Sequence, residues 1–267
     1  RFFSRVFKQV SHVLFTSYFY PCKHTNIRNF RRMDTHYIAG KNIIITGISR
    51  GLGKALSLQL LDQGAHVIGW GRTAPDFSHD HLHFIPCTVY EKASVHHALN
   101  QSMALRNSID FLVNNAGFGR FAPIEELQES DWDEMFDVNV KAAYLVSQAI
   151  VPHMKEQQAG HILNISSVAG RVGLPQGEAY NASKFALKGF SVCLYQELIS
   201  FGIIVSTIYP GAIATHFFDE IPGVSPHKNM MEVQTVARSI IQIMDTPPNY
   251  LVREIEMRPL NSKPPKK

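Results

Sequence analysis

Asn42-Ile43-Ile44-Ile45-Thr46-Gly47-Ile48-Ser49-Arg50-Gly51-Leu52-Gly53 is the stretch from which the fold can be read. Its first five residues are a short β-branched run suited to a strand buried on both faces. After the five turn residues Gly47 to Gly51, Leu52, Leu56 and Leu60 repeat at helical spacing until Gly64, a good C-cap residue. The stretch therefore predicts strand, glycine turn and helix. Glycines let backbone approach a ligand at a helix N-terminus, where free N–H groups and the helix dipole favour a pyrophosphate. The spacing, Thr46-Gly47 then Gly51 and Gly53, is not the general Gly-x-Gly-x-x-Gly pattern.

Downstream, strand and helix patterns alternate as a doubly wound sheet requires. His66 to Trp70, His83 to Pro86 and Ile109 to Val113 read as strands two to four, with a helix from Lys92 to Leu105 before the last of them. Asn114-Asn115-Ala116-Gly117 closes the fourth strand at the edge of the expected crevice. A long helix is expected from Ser130, whose hydroxyl can cap it, with Asp131, Asp133 and Glu134 at its positive end. Ile162 to Ile165 and Ile203 to Ile208 are strands five and six, with a helix from near Glu178 between them. Met231 to Met244 and Leu251 to Met257 supply a last helix and strand.

At 267 residues and 45% hydrophobic, the chain can bury a full core. The net charge of +4 is concentrated at the start. Residues 1–33 carry seven Lys and Arg and no acid, and removing those from 26 leaves 19 against 22 Asp and Glu, a balance of −3. The body is no polycation, and no nucleic-acid partner is expected. Within the first segment, Phe2, Phe3, Val6, Phe7 and Val10 recur at helical spacing between basic residues. It reads as a targeting peptide, a membrane-surface helix, or upstream codons ahead of a true start at Met33. No run reaches the ~18 apolar residues of a membrane span. Residues 1–36 are thus taken as a basic extension, 37–258 as one domain and 259–267 as a loose tail. Cys22, Cys87 and Cys193 follow no ligand or disulfide spacing, which suits a reducing, cytoplasmic setting; organelle targeting by residues 1–33 stays open.

Tyr180-Asn181-Ala182-Ser183-Lys184 places a phenol and an ammonium one helical turn apart. A cation within about 4–6 Å favours phenolate and makes tyrosine a better acid. Alone, this spacing more often describes a half-buried ring beside a solvated charge.

Taken together, these motifs from residue 39 to 258 resemble those of a classical short-chain dehydrogenase/reductase. Thr46-Gly47 with Gly51 and Gly53, Asn114 to Gly117, Ser167 with Tyr180 and Lys184, and Pro210-Gly211 stand in that family's order. The resemblance implies an α/β fold: a single-domain Rossmann-type parallel sheet of about seven strands, helices on both faces. It adds Asn139 to a catalytic tetrad with Ser167, Tyr180 and Lys184, and the family's gap before the tyrosine selects Ser167 over Ser166. Cofactor contacts are implied at Gly47, Ser49, Arg50, Gly51, Leu52, Gly53, Arg72, Asn115, Ala116, Gly117, Tyr180, Lys184, Pro210, Gly211, Ile213 and Thr215.

The implied chemistry explains the residue types. Hydride reduction of a ketone leaves an alkoxide that needs a proton and a hydrogen-bond donor. Tyr180 would give the proton, Ser167 hold the oxygen, Lys184 lower the phenol's pKa and bind the nicotinamide ribose, and Asn139 position a water. An NAD enzyme usually carries an acid after the second strand; here stand Gly71 and Arg72. With Arg50, Arg72 occupies positions that are basic in NADP-using members, so NADP(H) is expected. Thr88 stands where an aspartate often meets the adenine. The expected function is reduction of a small or medium carbonyl compound, or oxidation of its alcohol or 3-hydroxy acid, by a homodimer or homotetramer. A 3-oxoacyl thioester reductase is the enzymatic alternative, with Arg120, Arg171 and Lys228 as a basic mouth; a non-catalytic NADP(H)-binding sensor is the other. His79, His81 and His83 alternate without supporting acids or cysteines, and no metal site is expected.

Overall fold

Asn42–Thr46 forms the central strand β1, and the chain passes through the glycine turn into helix α1, Gly51–Asp62. Gly64 then adopts φ +80°, the left-handed conformation that lets the chain leave a helix without a Cβ clash. The computed structural model describes residues 37–218, 221, 225–247 and 250–261. The expected extension, residues 1–36, and positions 262–267 of the expected tail lie outside them.

The remaining elements are β2 (His66–Gly71), β3 (Leu82–Pro86), α2 (Lys92–Leu105), β4 (Phe111–Asn114), α3 (Glu129–Phe136), α4 (Ala142–Gln157), β5 (Gly160–Ile165), α5 (Glu178–Leu198), β6 (Ile203–Pro210), α6 (Val233–Met244) and β7 (Glu254–Met257). Among the described residues the strands form one seven-stranded parallel sheet in the order β3-β2-β1-β4-β5-β6-β7. Winding reverses between β1 and β4, so a crevice opens at the carboxyl ends of those strands. Alternate residues of each strand feed opposite cores. Ile44, Ile68, Leu112 and Ile162 pack on α2 and α4; Ile43, Ile45, Val67 and Val113 pack on α1 and α6.

Besides a β5 that starts at Gly160 rather than Ile162 and a β7 that starts at Glu254 rather than Leu251, three differences from the sequence reading have a local reason. β4 begins at Phe111 because the Gln157 amide donates to Ile109 O at 3.0 Å and accepts from Ile109 N at 3.1 Å. α6 begins at Val233 because Met231 is spent on a short parallel bridge with Ile213, Ala214 N donating to Met231 O at 2.9 Å. Ser130 does not cap the long helix: Gln128, in extended conformation, precedes it and no side chain caps it. That helix is also not continuous. Asp137–Lys141 is a π-helical segment, a wide turn that commonly marks a functional position, and Asn139 lies within it.

A buried polar chain runs through the core on one face of the sheet. Asn114 Nδ2 donates to Ser147 Oγ of α4 at 3.2 Å and to Asn164 Oδ1 of β5 at 2.8 Å. Asn164 Nδ2 donates to Ser191 Oγ of α5 at 2.8 Å, and Ser191 donates to Leu187 O at 2.7 Å. Buried amides and hydroxyls are costly unless satisfied, so these four side chains depend on one another.

His161 on β5 is buried too, its Nε2 2.8 Å from Ser206 Oγ, and Ser206 donates onward to Val252 O. With that donation made, Ser206 accepts from His161, so Nε2 carries the proton of a neutral ring. Burial pushes the His161 pKa down to about 3. The fold therefore gains full stability from this residue above its ordinary value near 6.5 and loses it as the pH falls toward about 3, because the unfolded chain takes up a proton that the fold excludes. Over that window the contribution falls by about 1.4 kcal/mol per pH unit. In His161→Gln, a urea midpoint followed from neutral to acid pH should fall less steeply; parallel slopes would refute the assignment.

Candidate active site

The crevice over β1, β4, β5 and β6 has a volume of about 890 Å³. Gly47 (φ +74°) and Gly51 (φ +59°) turn the chain beneath it. At Gly53 a Cβ would meet Gly47 O at 2.1 Å and Asn115 Nδ2 at 2.5 Å, so only glycine lets α1 dock against the turn. Asn115 Nδ2 donates to Thr46 O at 2.9 Å and Gly47 O at 3.0 Å, while Thr46 Oγ1 accepts from the backbone N of both Asn115 and Ala116. The β1 and β4 loops thus hold each other, and the Asn115 side chain is spent on the turn. α1 begins with no side-chain cap and no acid in its first turn, leaving its first N–H groups and dipole for an anion. Arg50 and Arg72 line the same end of the crevice and are exposed. Neither has an ion-pair partner among the described residues. The site fits a phosphorylated dinucleotide on these features.

Of the sequence-predicted positions, Gly47, Ser49, Arg50, Gly51, Leu52, Arg72, Asn115, Ala116, Gly117, Ser167, Tyr180, Lys184, Pro210, Gly211, Ile213 and Thr215 all line the crevice. Gly53 and Asn139 do not, standing behind its wall. Near Thr88, the residues lining the crevice are Cys87, Val89 and Tyr90, and Thr88 N donates to Ser94 Oγ at 2.9 Å.

At the opposite end Tyr180 is buried on the first turn of α5, its ring 5.5 Å from those of both Phe121 and Phe217. A Cβ on Gly119 would come within 3.0 Å of the tyrosine ring. Ser167 starts a short 3-10 turn, accepts from Ala169 N at 3.1 Å and donates to Pro210 O at 3.4 Å, and its hydroxyl acts on the Tyr180 phenol in the direction that lowers its pKa. Ser166 also lines the crevice, but its hydroxyl is engaged, donating to Lys184 O at 3.3 Å. Lys184 is buried and donates to Ile165 O at 3.1 Å, with Nζ 5.8 Å from the Tyr180 ring centre. Asn139 Nδ2 donates to Phe118 O at 2.9 Å and to Ser183 Oγ at 3.0 Å, and its Oδ1 accepts from Phe118 N at 3.0 Å.

In this structure burial, rather than Lys184, dominates the phenol's pKa. Burial pushes Tyr180 up to about 12, the Ser167 hydroxyl opposing it in part. Burial also brings Lys184 down to about 8. Desolvation outweighs attraction because the two groups are both enclosed and the ammonium is spent on a carbonyl. The phenol is consequently a protonated acid throughout the neutral range.

Sequence reasoning missed Glu134, Arg258 and Pro259, which also line the crevice. The signal for the last two is strand order: β7 lies parallel to β6, so its carboxyl end reaches the same rim. Among the described residues no three or more His, Cys, Asp or Glu are grouped to hold a metal ion, and no helix is long and apolar enough to cross a membrane.

A model of the short chain dehydrogenase family matches residues 41–223, and the chain belongs to that family, as an oxidoreductase of its classical type. An uncharacterized oxidoreductase of Staphylococcus aureus (strain USA300) is 29% identical over 230 residues, covering 84% of this chain and 99% of its own. Oxidoreductase BOA17 of Botryotinia fuckeliana (strain B05.10) is 33% identical over 191 residues, 68% and 70% of the two chains. Among solved structures, the closed form of serine dehydrogenase complexed with NADP+ is 28% identical, with a TM-score of 0.78 over 85% of this chain and 98% of its own.

Proposed function

We propose that the chain is an NADP(H)-dependent carbonyl reductase in which Tyr180 delivers the proton. The observation that carries this reading is a buried, protonated phenol, with the Ser167 hydroxyl near enough to act on it, at one end of a dinucleotide-sized crevice. The NADP+ held by a structural relative supports the cofactor, as do Arg50 and Arg72, which suit a 2′-phosphate through charge-assisted contacts.

A bound nicotinamide supplies the hydride, and this chain's residues handle the rest. As the carbonyl π bond breaks toward oxygen, Ser167 donates a hydrogen bond to that oxygen and the Tyr180 hydroxyl gives it a proton. Lys184 stabilises the phenolate left behind and reaches the nicotinamide ribose. Reprotonation passes through the space that Gly117 leaves open. A Cβ there would crowd Asn139 Oδ1 at 3.0 Å and Lys184 Nζ at 3.3 Å, so the lack of a side chain keeps clear the approach between these two groups, across which a bridging water can pass the proton. Asn139 then positions that water while its amide fixes the β4 loop.

Nothing specific favours the 3-oxoacyl carrier reading, since Arg120 pairs with Asp131 and Arg171 with Glu254. The sensor reading leaves the Tyr180–Ser167 contact without a purpose. The test is loss of NADPH absorbance with a panel of ketones and aldehydes; NADPH binding with no turnover of any member would favour the sensor. Self-association is part of the proposal. Phe185, Gly189 and Val192 form an exposed stripe on α5, and Phe185 is 45% exposed. Sedimentation should read a mass well above the 30.1 kDa of one chain, and a monomer at micromolar concentration would contradict it.

A further inference from the structure

The arginines along the crevice are treated oppositely at its two ends. Arg50 and Arg72, at the end assigned to the cofactor phosphate, have no carboxylate partner among the described residues. Around the reacting end every arginine on the wall is answered. Arg120 Nε stands 2.9 Å from Asp131 Oδ1 and its Nη2 3.6 Å from Glu134 Oε2. Arg258 pairs with Glu256, which also lies 3.4 Å from Arg171, and Arg171 pairs with Glu254 at 2.5 Å. Arg171 stands outside the crevice lining, and the two wall arginines at this end, Arg120 and Arg258, meet three carboxylates, Asp131, Glu134 and Glu256. Between them and Tyr180 the wall is apolar: Phe118, Phe121, Val172, Leu174 and Phe217.

From this asymmetry we infer that the substrate is an uncharged, apolar carbonyl compound, and that Asp131 and Glu134 set this preference by occupying Arg120. The inference rests on the carbonyl reductase reading and names its substrate class. Arg120 lines the crevice next to Gly119, where a Cβ would stand 3.0 Å from the Tyr180 ring, while the other cation near that ring, Lys184, is buried and donates to Ile165 O. Each of its ion pairs is half-exposed and individually weak, so an anion could displace one. It would still face the displaced carboxylate and the second one, whereas a neutral ketone displaces neither. Like charges brought together at a site discriminate against the wrong ligand. Asp131 and Glu134 are positioning residues in this account, acting through Arg120.

The experiment compares two ketones that differ only in charge, methyl 4-acetylbenzoate and 4-acetylbenzoate, with the full chain and NADPH. The ester should exceed the acid at least about tenfold in kcat/KM, the worth of one such contact. Binding of each ketone, read as a shift in melting temperature of the NADPH-bound protein, should rank them alike and requires no turnover. In Asp131→Asn with Glu134→Gln, the ester-to-acid ratio should fall about tenfold as Arg120 is released. If that pair fails to fold, Asp131→Asn alone should move the ratio in the same direction. An acid used or bound as well as the ester overturns the inference, as does an unchanged ratio in a folded variant or a protein that binds neither ketone. Failure of the underlying reaction is separable: if the ester binds better than the acid but Tyr180→Phe turns it over at the unmodified rate, the charge selectivity stands and the tyrosine mechanism falls.

Discussion

Tyr180→Phe should keep the fold and NADPH binding and lose at least about a thousandfold in turnover. The substitution preserves the ring that packs 5.5 Å from Phe121 and Phe217, so local packing is retained. The hydroxyl is what disappears, and with it both the proton and a donor to the developing alkoxide. General acid catalysis alone is worth about 10²–10⁴-fold, and the second role places the loss in the upper part of that range. Lys184→Ala should cost a similar factor but weaken NADPH as well, because the ammonium is proposed to serve the ribose. In the reductive direction, turnover should hold level up to about pH 8 and decline above it as Lys184, held there by burial, gives up its proton. Stopped-flow NADPH oxidation with any active ketone, beside NADPH fluorescence, reads all three. A Tyr180→Phe protein with near-normal turnover would remove this residue from the chemistry.

Replacing Arg50 and Arg72 together by alanine should weaken NADPH about a hundredfold and NADH less than about threefold. Two charge-assisted contacts to one phosphate justify the size, reduced because both side chains are exposed and screened by salt. NADPH affinity of the unmodified protein should likewise fall with ionic strength while NADH affinity stays nearly constant. Equal losses for the two cofactors would show that these arginines do not read the 2′-phosphate.

Much of this site is legible in the sequence because its determinants are local. The glycine turn, Asn114 to Gly117 and the Tyr180–Lys184 spacing each act within one turn or loop, and the crevice gathers them as expected. What escapes the sequence depends on contacts between distant segments. Gln157 shortens β4 from 48 positions away, and Met231 leaves its expected helix to pair with Ile213. The direction of the Tyr180 shift escapes too, since spacing reports proximity to a cation but not how completely both groups are desolvated. Asp131 read simply as a helix N-terminal acid; only folding puts it beside Arg120.

The polar chain from Ser147 through Asn114 and Asn164 to Ser191 has a consequence for catalytic tolerance. Apolar surfaces accept small sliding and rotation at little cost, whereas hydrogen bonds of 2.7–3.2 Å weaken steeply with misalignment. Ser191 lies seven residues beyond Lys184 on the same helix, and Asn181 fixes its first turn by donating to Ala169 O at 2.7 Å. α5 is therefore indexed at its first turn and again at mid-length, like a shaft keyed to its hub, and neither its rotation nor its axial position is left to the fit of side chains alone. A misplacement of about 1 Å can cost a hundredfold in rate. Drift at Ser191 or Asn164 would accordingly be felt first as imprecision at Tyr180, before it registered as lost stability.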